Sequence, residues 1–177
     1  MSEKGLTEQR SAAVWLWLSA AIIALDQYTK WLIVQQFDLY QRLDLLPMLS
    51  ITRLHNTGAA FSFLSDAGGW QRWFFIVLGL AVSALVVVWL RRLPRRGRSW
   101  LAAALALVVG GAIGNIIDRM HLGYVVDFIS VHYDRWFFPA FNVADSAITV
   151  GAVVLLIESL VAGEDHIPSR RHEKVDP

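Results

Sequence analysis

In the stretch VVDFISVHYDRWFFPAFNVADS, two aspartates, Asp127 and Asp145, lie on either side of an aromatic run. Two carboxyls held close together cannot both ionise, so one keeps a proton while the other stays charged. The charged one can take a proton from water as the water attacks a peptide carbonyl. The protonated one can hydrogen-bond the carbonyl oxygen and later protonate the leaving amine. Such a pair needs no cofactor. Other chemistries have less to work with. There is no cysteine, so thiol nucleophiles, Cys-ligated metals and disulfides are excluded. The histidines His55, His121, His132, His166 and His172 are scattered between loops and tail, outside any H-E-x-x-H or G-x-S-x-G context, and no metal site is expected.

The elements that must position these acids are read from hydropathy. The 177 residues are 55% hydrophobic and 18% charged, with mean hydropathy +0.45. A soluble domain carries about a quarter charged residues. No charge interrupts Trp73 to Leu90 or Trp100 to Ile117, and about 20 apolar residues cross the hydrocarbon of a bilayer. Four transmembrane helices are expected, at about 12–34, 72–90, 100–117 and 141–163, within one integral membrane domain. Outer loops then cover about 35–71 and 119–140, and the polar tails 1–11 and 164–177 are expected to be disordered. The first helix has a second reading as a cleaved signal sequence, with Arg10 as its basic flank. Its Trp-rich core and the ionisable Asp26 and Lys30 favour a retained helix.

The net charge of +1 hides an asymmetry. Arg91, Arg92, Arg95, Arg96 and Arg98 crowd one short loop, which the positive-inside rule puts in the cytoplasm. Both termini are then cytoplasmic and both long loops face outward. Leu49, Ile51 and Arg53 alternate with polar residues, a weak strand pattern, and Asn56-Thr57-Gly58 is a turn signal whose Asn and Gly tolerate positive φ. The following GAAFSF is suited to lying on a membrane surface or closing over a pocket. Trp70, Trp73, Trp136, Phe137 and Phe138 sit where interfacial anchors belong.

This layout brings Asp26, Lys30, Asn115, Asp118, Arg119, Asp127, Asn142 and Asp145 to the outward end of the helices. Each has an ordinary explanation. Asp26 and Lys30 are an i,i+4 pair that can neutralise each other. Asn142 and Asp145 have the spacing of an N-cap and capping box. Asp118 and Arg119 fit helix-end charges, and Asp127 a solvated loop. Together they are costly so near a bilayer, and such groups usually mark a functional site. The dipole of the fourth helix favours an ionised Asp145, which makes Asp127 the more readily protonated member. By themselves the residues leave three readings: a hydrolytic acid pair, an ion or proton transporter using the same acids, and a scaffold in which they only cap helices.

Five blocks carry a resemblance. DQYTK (Asp26–Lys30), NTGAAFSF (Asn56–Phe63), GNIIDR (Gly114–Arg119), VVDF (Val125–Phe128) and FNVADS (Phe141–Ser146) resemble, in order, the motifs of the bacterial lipoprotein signal peptidases, signal peptidase II. The resemblance implies an all-α membrane protein: four transmembrane helices with a small extracytoplasmic β-cradle and a short interfacial helix. It implies an aspartic endopeptidase of the bacterial cytoplasmic (inner) membrane, with its active site at the outer face. Its substrates would be prolipoproteins bearing a diacylglyceryl cysteine, cut just before that residue. Asp127 and Asp145 fall on the family's catalytic pair. Asn56, Gly58, Asn115, Arg119, Asn142 and Ala144 match supporting or substrate-binding positions, and Asp26 and Lys30 match a polar pair near the site. Membrane lipid and inhibitors of the globomycin type are the further partners implied. A monomer without cofactor, metal or nucleic acid is expected.

Overall fold

The charge-free stretches form helices, but each helix runs further than its apolar run. The computed structural model describes residues 11–58, 68–94 and 98–164. A short 3-10 helix, Ala12–Trp15, leads into α1 (Leu16–Gln36). Then come β1 (Arg42–Leu46), β2 (Leu49–Asn56), α2 (Trp70–Arg92), α3 (Ser99–His121), β3 (Val125–Tyr133), β4 (Trp136–Phe137) and α4 (Val143–Glu164). Among the described residues, four helices are long and apolar enough to cross a membrane. Most of both polar tails and the stretch 59–67, which holds nearly all of GAAFSF, lie outside the described residues. No short helix lies in the described parts of the stretches read as outer loops.

The third helix is the centre of the bundle. Of its most apolar window 61% is buried, against 17% for each of the other three. The others turn large apolar side chains outward, among them Trp17, Trp31, Val77, Leu85 and Leu160. A face of this kind suits lipid rather than water. Close approach to α3 depends on small residues, as membrane helices require. A Cβ on Gly111 would collide with the Ala144 carbonyl of α4, and one on Gly114 would stand 2.7 Å from the Asp26 carboxylate of α1.

One end of the bundle carries an antiparallel sheet in the order β1-β2-β3-β4. The weak pattern at Leu49–Arg53 is the start of β2. Its longer partner β3 lies in what reads as the second outer loop, so half of that loop is strand. Ser50 pairs with Ser130 and Ile51 with Ile129, and a bulge then shifts the register so that Leu54 faces Asp127 and Asn56 faces Val125. On its other side β3 holds the chain entering α4, because Phe141 N–H donates to Ile129 O at 3.0 Å and Phe141 O accepts from Ile129 N–H at 2.8 Å. Trp70, Trp73, Trp136, Phe137 and Phe138 are all exposed, as interfacial anchors should be.

Candidate active site

Asp127 does not stand in a loop in water. It is in β3 and only 3% exposed. Its Oδ2 accepts from Asn56 Nδ2 at 2.9 Å and its Oδ1 from Asn142 Nδ2 at 2.8 Å. The pairing of β2 with β3 brings Asn56 there. The Asn56 side chain also closes its own turn, since Oδ1 accepts from Gly58 N–H at 3.0 Å. That turn is made by the side chain and not by left-handed backbone; the described positive-φ residues are Tyr40, Gly68, Gly69, Gly123 and Asp134. Burial first, and the charge of Asp145 second, push the Asp127 carboxyl up to about 7. The amides of Asn56 and Asn142 and the charge of Lys30 work in the opposite direction.

Asp145 lies in the first turn of α4. The capping-box spacing is realised: Asn142 Oδ1 accepts from Asp145 N–H at 2.9 Å, and Asp145 Oδ2 accepts from Asn142 N–H at 3.2 Å. Capping leaves Oδ1 free for Asn115 Nδ2, at 2.7 Å. Asn115 in turn receives Lys30 Nζ at 3.0 Å and Asn142 Nδ2 at 3.2 Å on its own oxygen. An ammonium can only donate, so Lys30 fixes which end of the Asn115 amide faces the acid.

The expected Asp26–Lys30 pair is present at 2.8 Å, but it is incomplete as a description. Lys30 Nζ also lies 3.1 Å from Asp118 Oδ2, and all three side chains are buried. Removing one partner from such a buried group typically costs about 3–5 kcal/mol. Asp118 is thus no surface helix end, and α3 continues past it to His121. Gln27 Nε2 donates to Asp118 Oδ1 at 2.9 Å and to Asp26 Oδ2 at 3.2 Å. Gln27 and the contacts of Asp118 escape a reading by spacing, because they join separate helices. Ala144 is fully buried and donates its N–H to Asp26 Oδ1 at 2.9 Å.

Arg119 Nη2 donates to Gly58 O at 2.9 Å, and its guanidinium lies 5.0 Å from the centre of the Phe75 ring. It holds the turn beside Asn56 through a carbonyl, and its described hydrogen bonds go to no acid. Asp127, Asp145, Asn56, Asn115 and Arg119 all open onto one cavity of about 510 Å³. Its other walls are mainly apolar, from Val125, Phe138, Phe141, Ile148 and Val150. His55, for which the sequence suggested no role, stacks on Tyr124 at 3.8 Å, and burial, then Arg53, lowers its proton affinity.

The fold and site define a polytopic membrane protein with a buried carboxyl pair at one end of its helix bundle. Residues 18–161 match the family model described as "Signal peptidase (SPase) II". A lipoprotein signal peptidase of Pseudomonas aeruginosa (strain UCBPP-PA14) is 56% identical over 146 residues, covering 81% of this chain and 86% of the relative. One of Acinetobacter baumannii is 56% identical over 146 residues, covering 82% of each chain. A structure described as a bacterial membrane enzyme solved by the in meso method at 2.3 Å superposes with a TM-score of 0.78 at 28% identity, covering 88% of this chain and 92% of that one. A second, at 1.9 Å, gives 0.71 at 30% identity over 83% and 92%. The chain belongs to the signal peptidase II family. It is a multi-pass membrane peptidase, and the transporter reading is set aside.

Proposed function

We propose that this protein removes signal peptides from prolipoproteins, cutting before a diacylglyceryl cysteine, and that Asp127 and Asp145 do the chemistry. The observation that carries the reading is the opening of both carboxyls onto one cavity, with Asp127 pushed up to about 7. A group so poised holds a proton at neutral pH and can still release it. Asp145 takes a proton from water, and the water oxygen bonds to the peptide carbonyl carbon. Asp127 hydrogen-bonds the carbonyl oxygen in the attack. The tetrahedral intermediate collapses as the C–N bond breaks and the amine nitrogen takes the Asp127 proton. The proton gained by Asp145 then restores the pair, since the two acids share one titration.

Asn56, Asn142 and Asn115 orient the acids, while Gly58 and Arg119 shape the wall along which the substrate backbone lies. The apolar side of the cavity suits a substrate anchored by acyl chains and arriving from the bilayer. In this reading the sheet end faces outward, both termini and the Arg91–Arg98 loop are cytoplasmic, and the protein works as a monomer in the inner membrane. Globomycin-type inhibitors would occupy the same cavity.

The test is incubation of the purified protein, in detergent or lipid, with a diacylglyceryl-modified prolipoprotein. Release of the signal peptide is expected, with little release from the unmodified precursor. Equal cleavage of both precursors would refute the lipid requirement, and no cleavage of either would refute the function.

A further inference from the structure

The two proposed catalytic acids are each preceded in the chain by a residue whose backbone N–H is held by a second, deeper carboxylate. Ala144, before Asp145, donates to Asp26 Oδ1 at 2.9 Å. Val126, before Asp127, donates to Asp118 Oδ2 at 3.0 Å. Lys30 Nζ lies between these carboxylates, 2.8 Å from Asp26 and 3.1 Å from Asp118. Gln27 Nε2, one residue along α1 from Asp26, reaches both as well, at 3.2 and 2.9 Å. We propose that this buried Asp26–Lys30–Asp118 bridge is a spacer that sets the separation of Asp127 and Asp145. It rests on the acid-pair reading above.

Neutralising a lysine needs one carboxylate. Burying a second beside it leaves a net negative charge, which is costly in a low-dielectric interior. The extra carboxylate has a geometric use instead. Asp26 and Asp118 come from α1 and α3, and each grips one backbone N–H of a different element, α4 or β3. Both anchored residues, Ala144 and Val126, are at most 1% exposed, so the grip is made away from bulk water. Asp26, Lys30 and Asp118 are positioning residues, because they act on the acids through the main chain. Displacing a reacting group by about 1 Å can cost about 10²-fold in rate.

Removing the Asp118 charge would itself alter the Asp127 titration, so the test holds the charge change constant. The charged and titratable groups around Asp127 are Asp145 on α4, Lys30 and Asp26 on α1, Asp118 and Arg119 on α3, and His55 and Arg53 on β2. Asp118→Asn and Asp118→Ala remove the same charge and both lose the bond from Gln27, whose amide Asp26 and Gly114 O hold in place, but only Asn keeps an oxygen for Val126 N–H. Steady-state cleavage is measured across pH for both, on protein shown to be folded and monodisperse. Asp118→Asn should retain kcat within about tenfold of wild type, and Asp118→Ala should lose about 10²-fold more. KM should differ between the two by less than about twofold, since the substrate contacts are untouched. The alkaline limb of Asp118→Ala should lie below that of Asp118→Asn, because acids that drift apart raise each other less.

Equal kcat and equal pH limbs in the two variants would overturn the spacer. If Asp118→Ala fails to fold, Asp118→Leu, which has nearly the shape of Asn and no acceptor for Val126 N–H, poses the same comparison, and kcat equal to that of Asp118→Asn is equally fatal. Asp127→Asn runs as a control in the same assay. Retained cleavage by that control sinks the acid pair itself, whereas an inactive control beside indistinguishable Asp118 variants sinks only the spacer.

Discussion

Asp145→Asn separates chemistry from helix capping, because Asn has nearly the shape of Asp and cannot exchange the proton. Asp145 accepts two hydrogen bonds, from Asn115 Nδ2 at 2.7 Å and from Asn142 N–H at 3.2 Å. An Asn there has one side-chain oxygen, so its amide nitrogen must face one of those donors. Asn115 cannot turn to help, since its oxygen is held by Lys30 at 3.0 Å and Asn142 at 3.2 Å. The loss falls on the longer bond to Asn142. It costs about 1 kcal/mol, partly offset by removing a charge beside Asp127. In a chain of this size that lowers Tm by about 2–4 °C. Cleavage should fall by about 10⁴-fold or more, as when one member of a concerted catalytic set is removed. The assay pairs a thermal melt in detergent with release of signal peptide from lipidated precursor. A folded Asp145→Asn protein that cleaves within tenfold of wild type would refute the acid-pair argument and leave only the cap.

Five other outcomes are expected. The Asp127 carboxyl is raised from its ordinary 3.8 to about 7, so kcat/KM should decline above about pH 7 as its proton is lost. The same shift means that the stability it lends is fully present below about pH 4 and lost as pH rises through about 7, so Asp127→Asn should flatten the fall of Tm across that window. Arg119→Lys keeps the charge but loses the planar contact with Phe75 and the reach to Gly58 O; about a tenfold loss of kcat/KM is expected, and full activity would reduce Arg119 to a helix-end charge. A reporter fused at Asp134 should read external and one in the Arg91–Arg98 loop cytoplasmic, and the opposite result would invert the topology. Chelators and thiol reagents should leave cleavage unchanged, because the chain has no cysteine and no three His, Asp or Glu among the described residues gather as metal donors; inactivation by a chelator, reversed by a metal, would overturn that.

What sequence spacing could expose was what is local. Charge-free runs locate the helices because hydrocarbon tolerates few exceptions, and the Asn142–Asp145 spacing announces a capping box that the structure contains. Both ordinary and functional readings of Asp145 fit the same geometry, since one carboxylate oxygen serves the cap and the other meets Asn115. Helix ends were less legible. An ionised residue closing an apolar run looks like the end of a helix, and Asp118 looked so until its partner on α1 was visible.

The strand β3 shows the same limit from the other side. VVDFISVHY has too many apolar neighbours for a clean alternation, because Val125, Val126, Asp127 and Phe128 are buried on both faces of the sheet. Val126 and Phe128 pack with Ile33 of α1, whereas Val125 and Asp127 line the cavity, and the chain entering α4 pairs along the strand's edge at Phe141. That burial, with the charge of Asp145 second, lifts Asp127 out of the ordinary carboxylate range, so the feature that hid the strand also underlies its proposed chemistry. An aspartate in an apolar strand is costly unless donors meet both oxygens, and Asn56 and Asn142 do so from two different elements. Neither donor is near Asp127 in the chain. The site is therefore a property of the pairing of β3 with β2 and with the entry to α4, and a change that slips that register should abolish cleavage while leaving all four helices in place.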